Sequence, residues 1–144
     1  ETTSVQSTAH VHYLQFAAEG EITITPGNAT DYSFVKVNIL EQCTKYQPKC
    51  VEFDRKFSPY IVPELEDEGI EMSPFGQGYY EMSYPTKEME KSIVSGKVIH
   101  GGNRCLRWQM SCVKIDRDPA DNIKVTKNRN KQGQQVDGVV AAVL

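Results

Sequence analysis

No apolar run in this 144-residue chain approaches the roughly 20 residues a membrane helix needs, and no charged-then-apolar leader opens it. The GxxxxGK[ST] word is missing, which excludes a P-loop ATPase site from this stretch of sequence. Cysteine is sparse: Cys43, Cys50, Cys105 and Cys112 form two pairs with six residues between partners. That spacing is not the CxxC of a zinc site, and the density is too low for a secreted disulfide scaffold. The four read as reduced thiols that pack as small hydrophobes. Asn28-Ala29-Thr30 has the form of a glycosylation acceptor, which without a secretory leader reads as chance. These absences predict a soluble, intracellular protein without a membrane partner. The chain starts at Glu1 rather than Met, as a piece excised from something longer would. Internal repeats and low-complexity blocks are also lacking.

With 39% hydrophobic and 24% charged residues, the chain fits one globular domain, residues 1–144, with a real core. The formal charge of −3 hides a strong segregation. From Glu52 to Glu90 ten acids face three bases, a local balance of −7. From Arg104 to Lys131 eight bases face three acids, a balance of +5. A basic segment beside carboxylates suits a phosphate-handling surface, although such a run can also be a plain solvated face.

Period and punctuation predict the elements. Val11-His12-Tyr13-Leu14-Gln15-Phe16 alternates loosely and reads as a strand; Glu21-Ile22-Thr23-Ile24-Thr25 alternates cleanly before Pro26-Gly27-Asn28, completing a hairpin. Between Asp31 and Tyr46 the residues Phe34, Val35, Ile39, Cys43 and Tyr46 recur at helical spacing, with Thr30 or Asp31 as cap and Pro48 as stop. Cys50-Val51-Glu52-Phe53-Asp54 is a strand that delivers Asp54 at its carboxyl end. Pro59 to Glu68 reads as a helix closed by Gly69, and Ile70-Glu71-Met72 as the next strand, so a parallel βαβ unit is expected. Tyr84 to Ser95 is a third helix. The segment around Leu106, Trp108 and Met110 has no firm assignment, and Asp118 to Gln135 reads as a polar loop or arm. The order is α/β with a mixed sheet flanked by helices.

The last nine residues, Val136 to Leu144, include seven aliphatic side chains with Asp137 at their mouth. They read as a buried helix or strand. Asp54 and Asp137 both lie at element ends, and in an open α/β sheet ligands gather beyond the carboxyl ends of strands. Two such acids can share a hard divalent cation with a substrate phosphate; they can equally be a helix cap and a surface acid.

Several words along the chain fall in the order of a known family. They are Gly20-Glu21-Ile22-Thr23-Ile24-Thr25-Pro26-Gly27-Asn28, Val51-Glu52-Phe53-Asp54-Arg55, Leu65-Glu66-Asp67-Glu68-Gly69, Gln77-Gly78 and Met82-Ser83-Tyr84-Pro85-Thr86-Lys87-Glu88-Met89-Glu90. His100-Gly101-Gly102-Asn103, Leu106-Arg107-Trp108, Asp118 with Asn122-Ile123-Lys124 and Lys127, and Val136-Asp137-Gly138-Val139-Val140-Ala141 follow. From Glu19 onward the chain resembles the carboxyl-terminal nuclease domain of tailed-phage terminase large subunits.

The resemblance implies an RNase H-like fold and metal-dependent hydrolysis of duplex DNA by a phage or prophage protein in the host cytoplasm. Carboxylates on the family's first strand, on a later strand end and on the last helix hold two Mg²⁺ or Mn²⁺ ions; Asp54 matches the second position and Asp137 the third. The partners implied are double-stranded DNA, the terminase small subunit, the portal protein and the ATPase domain of the same parent chain. The chain departs from the family at the first-strand aspartate, since residues 1–18 contain no Asp and only Glu1 as an acid. The first strand of the fold is therefore expected to be missing here. Cys112 stands where the family usually carries Asn.

Lys124, Lys127, Arg129 and Arg107 are candidate backbone contacts for DNA, although loop lysines can also be merely solvated. His100, beside a glycine turn, either bonds a phosphate or its own loop. His10 and His12 read as surface residues and Trp108 as a core anchor. Two rival readings remain open: a DNA- or portal-docking module that does not cut, and another RNase H-like nuclease such as a resolvase.

Overall fold

A computed structural model describes residues 12–25, 27, 29–55, 60–127 and 133–144. The chain forms two compact units, one made of Glu1–Ile24 with Gly78–Leu144, the other of Thr25–Gln77.

The smaller unit opens with helix α2, Tyr32–Tyr46; α1 belongs to the larger unit. Its cap is Asp31, whose Oδ1 accepts the N–H groups of Ser33 at 3.0 Å and Phe34 at 3.2 Å. Such a cap is worth about 1 kcal/mol because it satisfies donors that have no partner within the helix. At the other end Gln47 turns into the left-handed region, φ 49°, and its N–H returns to the Cys43 carbonyl before Pro48 forbids continuation. The predicted apolar stripe is not a buried one. No residue of α2 is buried, and Phe34 and Tyr46 stand exposed.

Strand β1, Val51–Asp54, helix α3, Ile61–Asp67, and strand β2, Met72–Phe75, form the expected βαβ unit. The two strands pair in parallel, Val51 opposite Met72 and Asp54 opposite Phe75. Pro74 in β2 lacks a ladder donor, which a strand paired on one side tolerates. In α3, Leu65 is fully buried and Ile61 nearly so. Lys36 of α2 reaches Glu64 of α3 and Glu68, the residue that ends it.

In the larger unit, residues 12–18 form helix α1. A strand was expected there. Helical spacing instead places His12, Tyr13 and Phe16 together against Trp108, with ring centroids 5.3, 5.9 and 5.8 Å away, and that packing outweighs the β-propensity of the segment. His12 is thus part of an aromatic cluster rather than a plain surface residue, and Trp108 anchors packing as expected. His10 lies outside the described residues. Nor is there a strand in the described part of residues 21–28. Glu21 is drawn instead to the start of another helix, as described below.

Helix α4, Tyr79–Val94, begins earlier than its periodicity suggested and runs through Pro85. Helix α5, Arg104–Ser111, occupies the segment that had no assignment. Strands β3, Val113–Arg117, and β4, Ile123–Lys127, pair antiparallel, so the supposed polar arm contains a strand. Buried Ile123 and Val125 alternate there with Lys124 and Thr126, a repeat too short to stand out in sequence. Asp118 builds the connecting turn: its Oδ1 accepts from the N–H groups of Ala120 and Asn122, both at 2.9 Å, and its Oδ2 from the Asn122 side chain at 3.0 Å. Helix α6, Asp137–Val143, confirms the apolar tail as helical. Among the described residues the strands form two separate pairs, one parallel and one antiparallel.

The core of this unit gathers Phe16, Met82, Cys105, Cys112, Ile123, Val125, Val136, Val139 and Val143. Burying a Met or Val side chain of this kind stabilises by roughly 1.5–3 kcal/mol. All four cysteines are free, and Cys105 and Cys112 are the buried ones. No described helix is long and apolar enough to cross a membrane.

Candidate functional site

Asp54 is the last residue of β1, half-buried, and belongs to the smaller unit. Asp137 is the first residue of α6, exposed, and belongs to the larger one. It is not the helix cap. That position falls to Val136, an apolar residue that is itself buried and makes no side-chain cap.

The first-turn donors of α6 therefore need acceptors from elsewhere. Gln109 of α5 supplies one: its Oε1 accepts the Gly138 N–H at 2.6 Å. Its other amide atom, Nε2, points to the Cys105 Sγ at 3.5 Å. Tyr13 completes the surroundings of Asp137. Burial raises the pKa of its phenol above the ordinary 10.0, and the negative charge of Asp137 pushes in the same direction, because an anion next to another anion is disfavoured.

Helix α5 is fixed in turn by acids from the amino-terminal part of the chain. Glu21 accepts the Arg104 N–H on Oε1 at 2.8 Å and the Cys105 N–H on Oε2 at 2.6 Å. Asn103 caps the same helix by accepting the Leu106 N–H at 2.7 Å, and Glu19 pairs with the Arg104 guanidinium. The bond from the Arg104 backbone is the largest of several interactions that hold the Glu21 carboxyl below its ordinary pKa.

The candidate phosphate contacts separate into two groups. On β4, Lys124 stands opposite Asp116 of β3, and its Nζ lies 4.4 Å from the centre of the Tyr79 ring. The Tyr79 hydroxyl donates to the Asp116 Oδ2 at 2.9 Å. Lys127, exposed at the end of β4, stands opposite Val113. His100 and Arg107 instead line one cavity of about 290 Å³, walled otherwise by apolar side chains including Met89, Ile93, Leu106 and Val139. Arg129 lies outside the described residues.

Glu21, Tyr79 and Gln109 were not singled out from sequence. Each acts through a partner far along the chain, 84 residues away for Glu21 with Cys105 and 29 for Gln109 with Gly138, and no local pattern encodes such a pairing. Among the described residues no group of three or more His, Cys, Asp or Glu side chains is arranged to hold a metal ion. The chemistry of Asp54 and Asp137, two carboxylates, fits a hard divalent cation that takes oxygen ligands.

Residues 2–144 match the family described as "Terminase large subunit, endonuclease domain". The large terminase subunit of Enterobacteria phage HK97 is 28% identical over 134 residues, covering 92% of this chain and 26% of that protein. Protein YmfN of Escherichia coli K12 is 27% identical over 136 residues, covering 92% of this chain and 29% of its own length. This chain therefore spans little more than a quarter of either relative. The crystal structure of the HK97 bacteriophage large terminase superposes with a TM-score of 0.82 at 27% identity, over 95% of this chain and 29% of that one. The large terminase nuclease from thermophilic phage G20c gives 0.64 at 15% identity, over 82% of this chain and 62% of that one, a likeness of fold. The chain belongs to the terminase large subunit endonuclease domain family, and its α/β fold is RNase H-like.

Proposed function

We propose that this chain is a divalent-metal-dependent endonuclease domain that cuts concatemeric duplex DNA during phage genome packaging. The observation that carries the reading is the family match over residues 2–144; it is supported by Asp54 at a strand end and Asp137 at the start of the last helix, the kinds of place where the resemblance puts the family's carboxylates. Asp54 and Asp137 would hold Mg²⁺ or Mn²⁺. Bound there, such ions would supply an activated water and stabilise the charge on the leaving oxygen in phosphodiester hydrolysis. Lys124 and Lys127, with Arg107, Arg129 and His100, would hold the DNA backbone with little sequence preference, since phosphate contacts position a duplex without reading it. The remaining partners are the ATPase domain of the parent chain, the small terminase subunit and the portal protein, with the host cytoplasm as the place of action.

Plasmid nicking in Mn²⁺ tests the reading. The chain should nick, while Asp54→Asn and Asp137→Asn should each lose most of the activity. Equal nicking by all three proteins would remove both acids from the metal site.

A second reading is a DNA- or portal-docking module that does not cut. It is favoured by the lack of a three-ligand cluster among the described residues. Metal-independent DNA binding without nicking, unchanged in Asp54→Asn and Asp137→Asn, would select it.

A further inference from the structure

Helix α6 starts on a residue that cannot cap it. Val136 offers no side-chain acceptor, and the first bond within the helix is that from the Val140 N–H to the Val136 carbonyl at 2.9 Å. The N–H groups of Asp137, Gly138 and Val139 thus precede the helical ladder and need acceptors from elsewhere. For Gly138 that acceptor is the half-buried Gln109 side chain at 2.6 Å, whose amide is oriented at its other end by Cys105.

The contact has a consequence for the residue before it. A peptide unit is planar, so fixing the direction of the Gly138 N–H fixes the plane that joins Asp137 to Gly138. The Asp137 Cα is held with it, and the carboxylate keeps only its two side-chain torsions to adjust. The approach also leaves little room for a larger residue at 138, which the Gln109 amide would have to yield to. A Cβ there would lie 3.0 Å from the Gln109 Oε1 and 3.4 Å from its Cδ, although the backbone of Gly138 does not sit in the left-handed region that calls for glycine. Glycine is a poor helix former, disfavoured against alanine by roughly 1 kcal/mol in a helix interior, and close approach of the Gln109 amide accounts for its presence.

We propose that Gln109 is a positioning residue for Asp137: by anchoring the Gly138 amide it holds the Asp137 Cα in place, so that the carboxylate meets a divalent cation with only its two side-chain torsions left to set. The inference rests on the metal role assigned to Asp137 above. Groups that orient a metal ligand from outside the coordination sphere commonly change affinity about 10–100-fold when removed. Gln109 acts through one peptide plane rather than on the carboxylate itself, so the lower end of that range, about tenfold, is expected.

Mn²⁺ binding by the full chain, with free Mn²⁺ followed by electron paramagnetic resonance and no DNA present, separates this role from a purely structural one. Gln109→Met keeps the side-chain length and removes the acceptor. It should raise the Mn²⁺ dissociation constant about tenfold and expose the Gly138 amide to hydrogen exchange, with an unchanged circular dichroism spectrum. Gln109→Glu keeps an oxygen at the same reach and should restore both amide protection and affinity. Gly138→Ala reaches the same contact from α6 and tests the role even if the methionine variant fails to fold. A purely structural role lets the crowded Cβ change stability alone, whereas the positioning account has Mn²⁺ affinity fall in the folded variant.

Unchanged Mn²⁺ affinity in folded Gln109→Met or in Gly138→Ala would overturn the proposal, as would a Gln109→Glu protein as weak as Gln109→Met. Asp137→Asn keeps the two failures apart. If that variant binds Mn²⁺ like the parent, the metal role of Asp137 fails and the inference falls with it. If it binds weakly while Gln109→Met does not, only the inference falls.

Discussion

Glu21 and Cys105 are 84 residues apart in the chain, and the Glu21 Oε2 accepts the Cys105 N–H at 2.6 Å. Together with the bond to the Arg104 N–H, this puts a carboxylate on the first turn of α5, the helix that carries Gln109 and Trp108. An acid is favoured there because its charge meets the positive end of the helix dipole and its oxygens satisfy unpaired donors. Glu21→Ala should lower the urea midpoint at pH 7.

The pH dependence of that effect has a definite sign. The Glu21 carboxyl is held below its ordinary 4.5, the Arg104 backbone bond being the largest cause. A depressed folded-state value means that the contribution is fully present above the unfolded value and fades as pH falls through the folded one. The gap in midpoint between the parent and Glu21→Ala should therefore be widest near neutrality and shrink below pH 4.5. A gap that grows in acid would contradict the assignment.

Asp118 should behave as the organiser of the β3–β4 turn. The Asn122 side chain, first among the causes, and the amides of Asn122 and Ala120 hold its carboxyl below the ordinary value. Asp118→Ala should speed hydrogen exchange at the Ala120 and Asn122 amides, while Asp118→Asn, which keeps one acceptor oxygen, should change them less. Equal protection in parent and alanine variant would show that the turn holds without it.

Core truncation should be costly in both units. Leu65→Ala and Met82→Ala, at positions 0% and 2% exposed, should each lose about 2–5 kcal/mol in urea denaturation through lost burial and a residual cavity. Leu14→Ala, at a side chain 51% exposed, should stay within about 0.5 kcal/mol.

Lys124 and Lys127 can be tested as phosphate contacts by the salt dependence of DNA affinity. Each alanine substitution should weaken binding to all duplexes alike and reduce the slope of log K against log salt by about 0.9. An unaltered slope would mark a solvated lysine. For Lys124, Tyr79→Leu should give part of the same loss, because the ring beneath its ammonium is removed.

The parallel β1–α3–β2 unit, the Asp31-capped helix and the helical tail were legible in sequence because each is coded by neighbours. The codes are an apolar run ending in Asp54, a cap one residue before Tyr32, and the aliphatic series after Asp137. The family words were legible for the same reason: they are short, contiguous and ordered, and Asp54 and Asp137 within them do fall at element ends.

What local pattern could not decide was settled by distant partners. The 12–18 segment became helix because Trp108 offers a face to His12, Tyr13 and Phe16. Glu21 left its expected hairpin for the amides of Arg104 and Cys105, and the start of α6 took its acceptor from Gln109. A free amide accepts a bond from whichever oxygen the fold brings near, and an aromatic face packs whichever rings reach it. Neither choice is written in spacing, so Asp137 stood out in the sequence while the Gln109–Gly138 contact beside it did not.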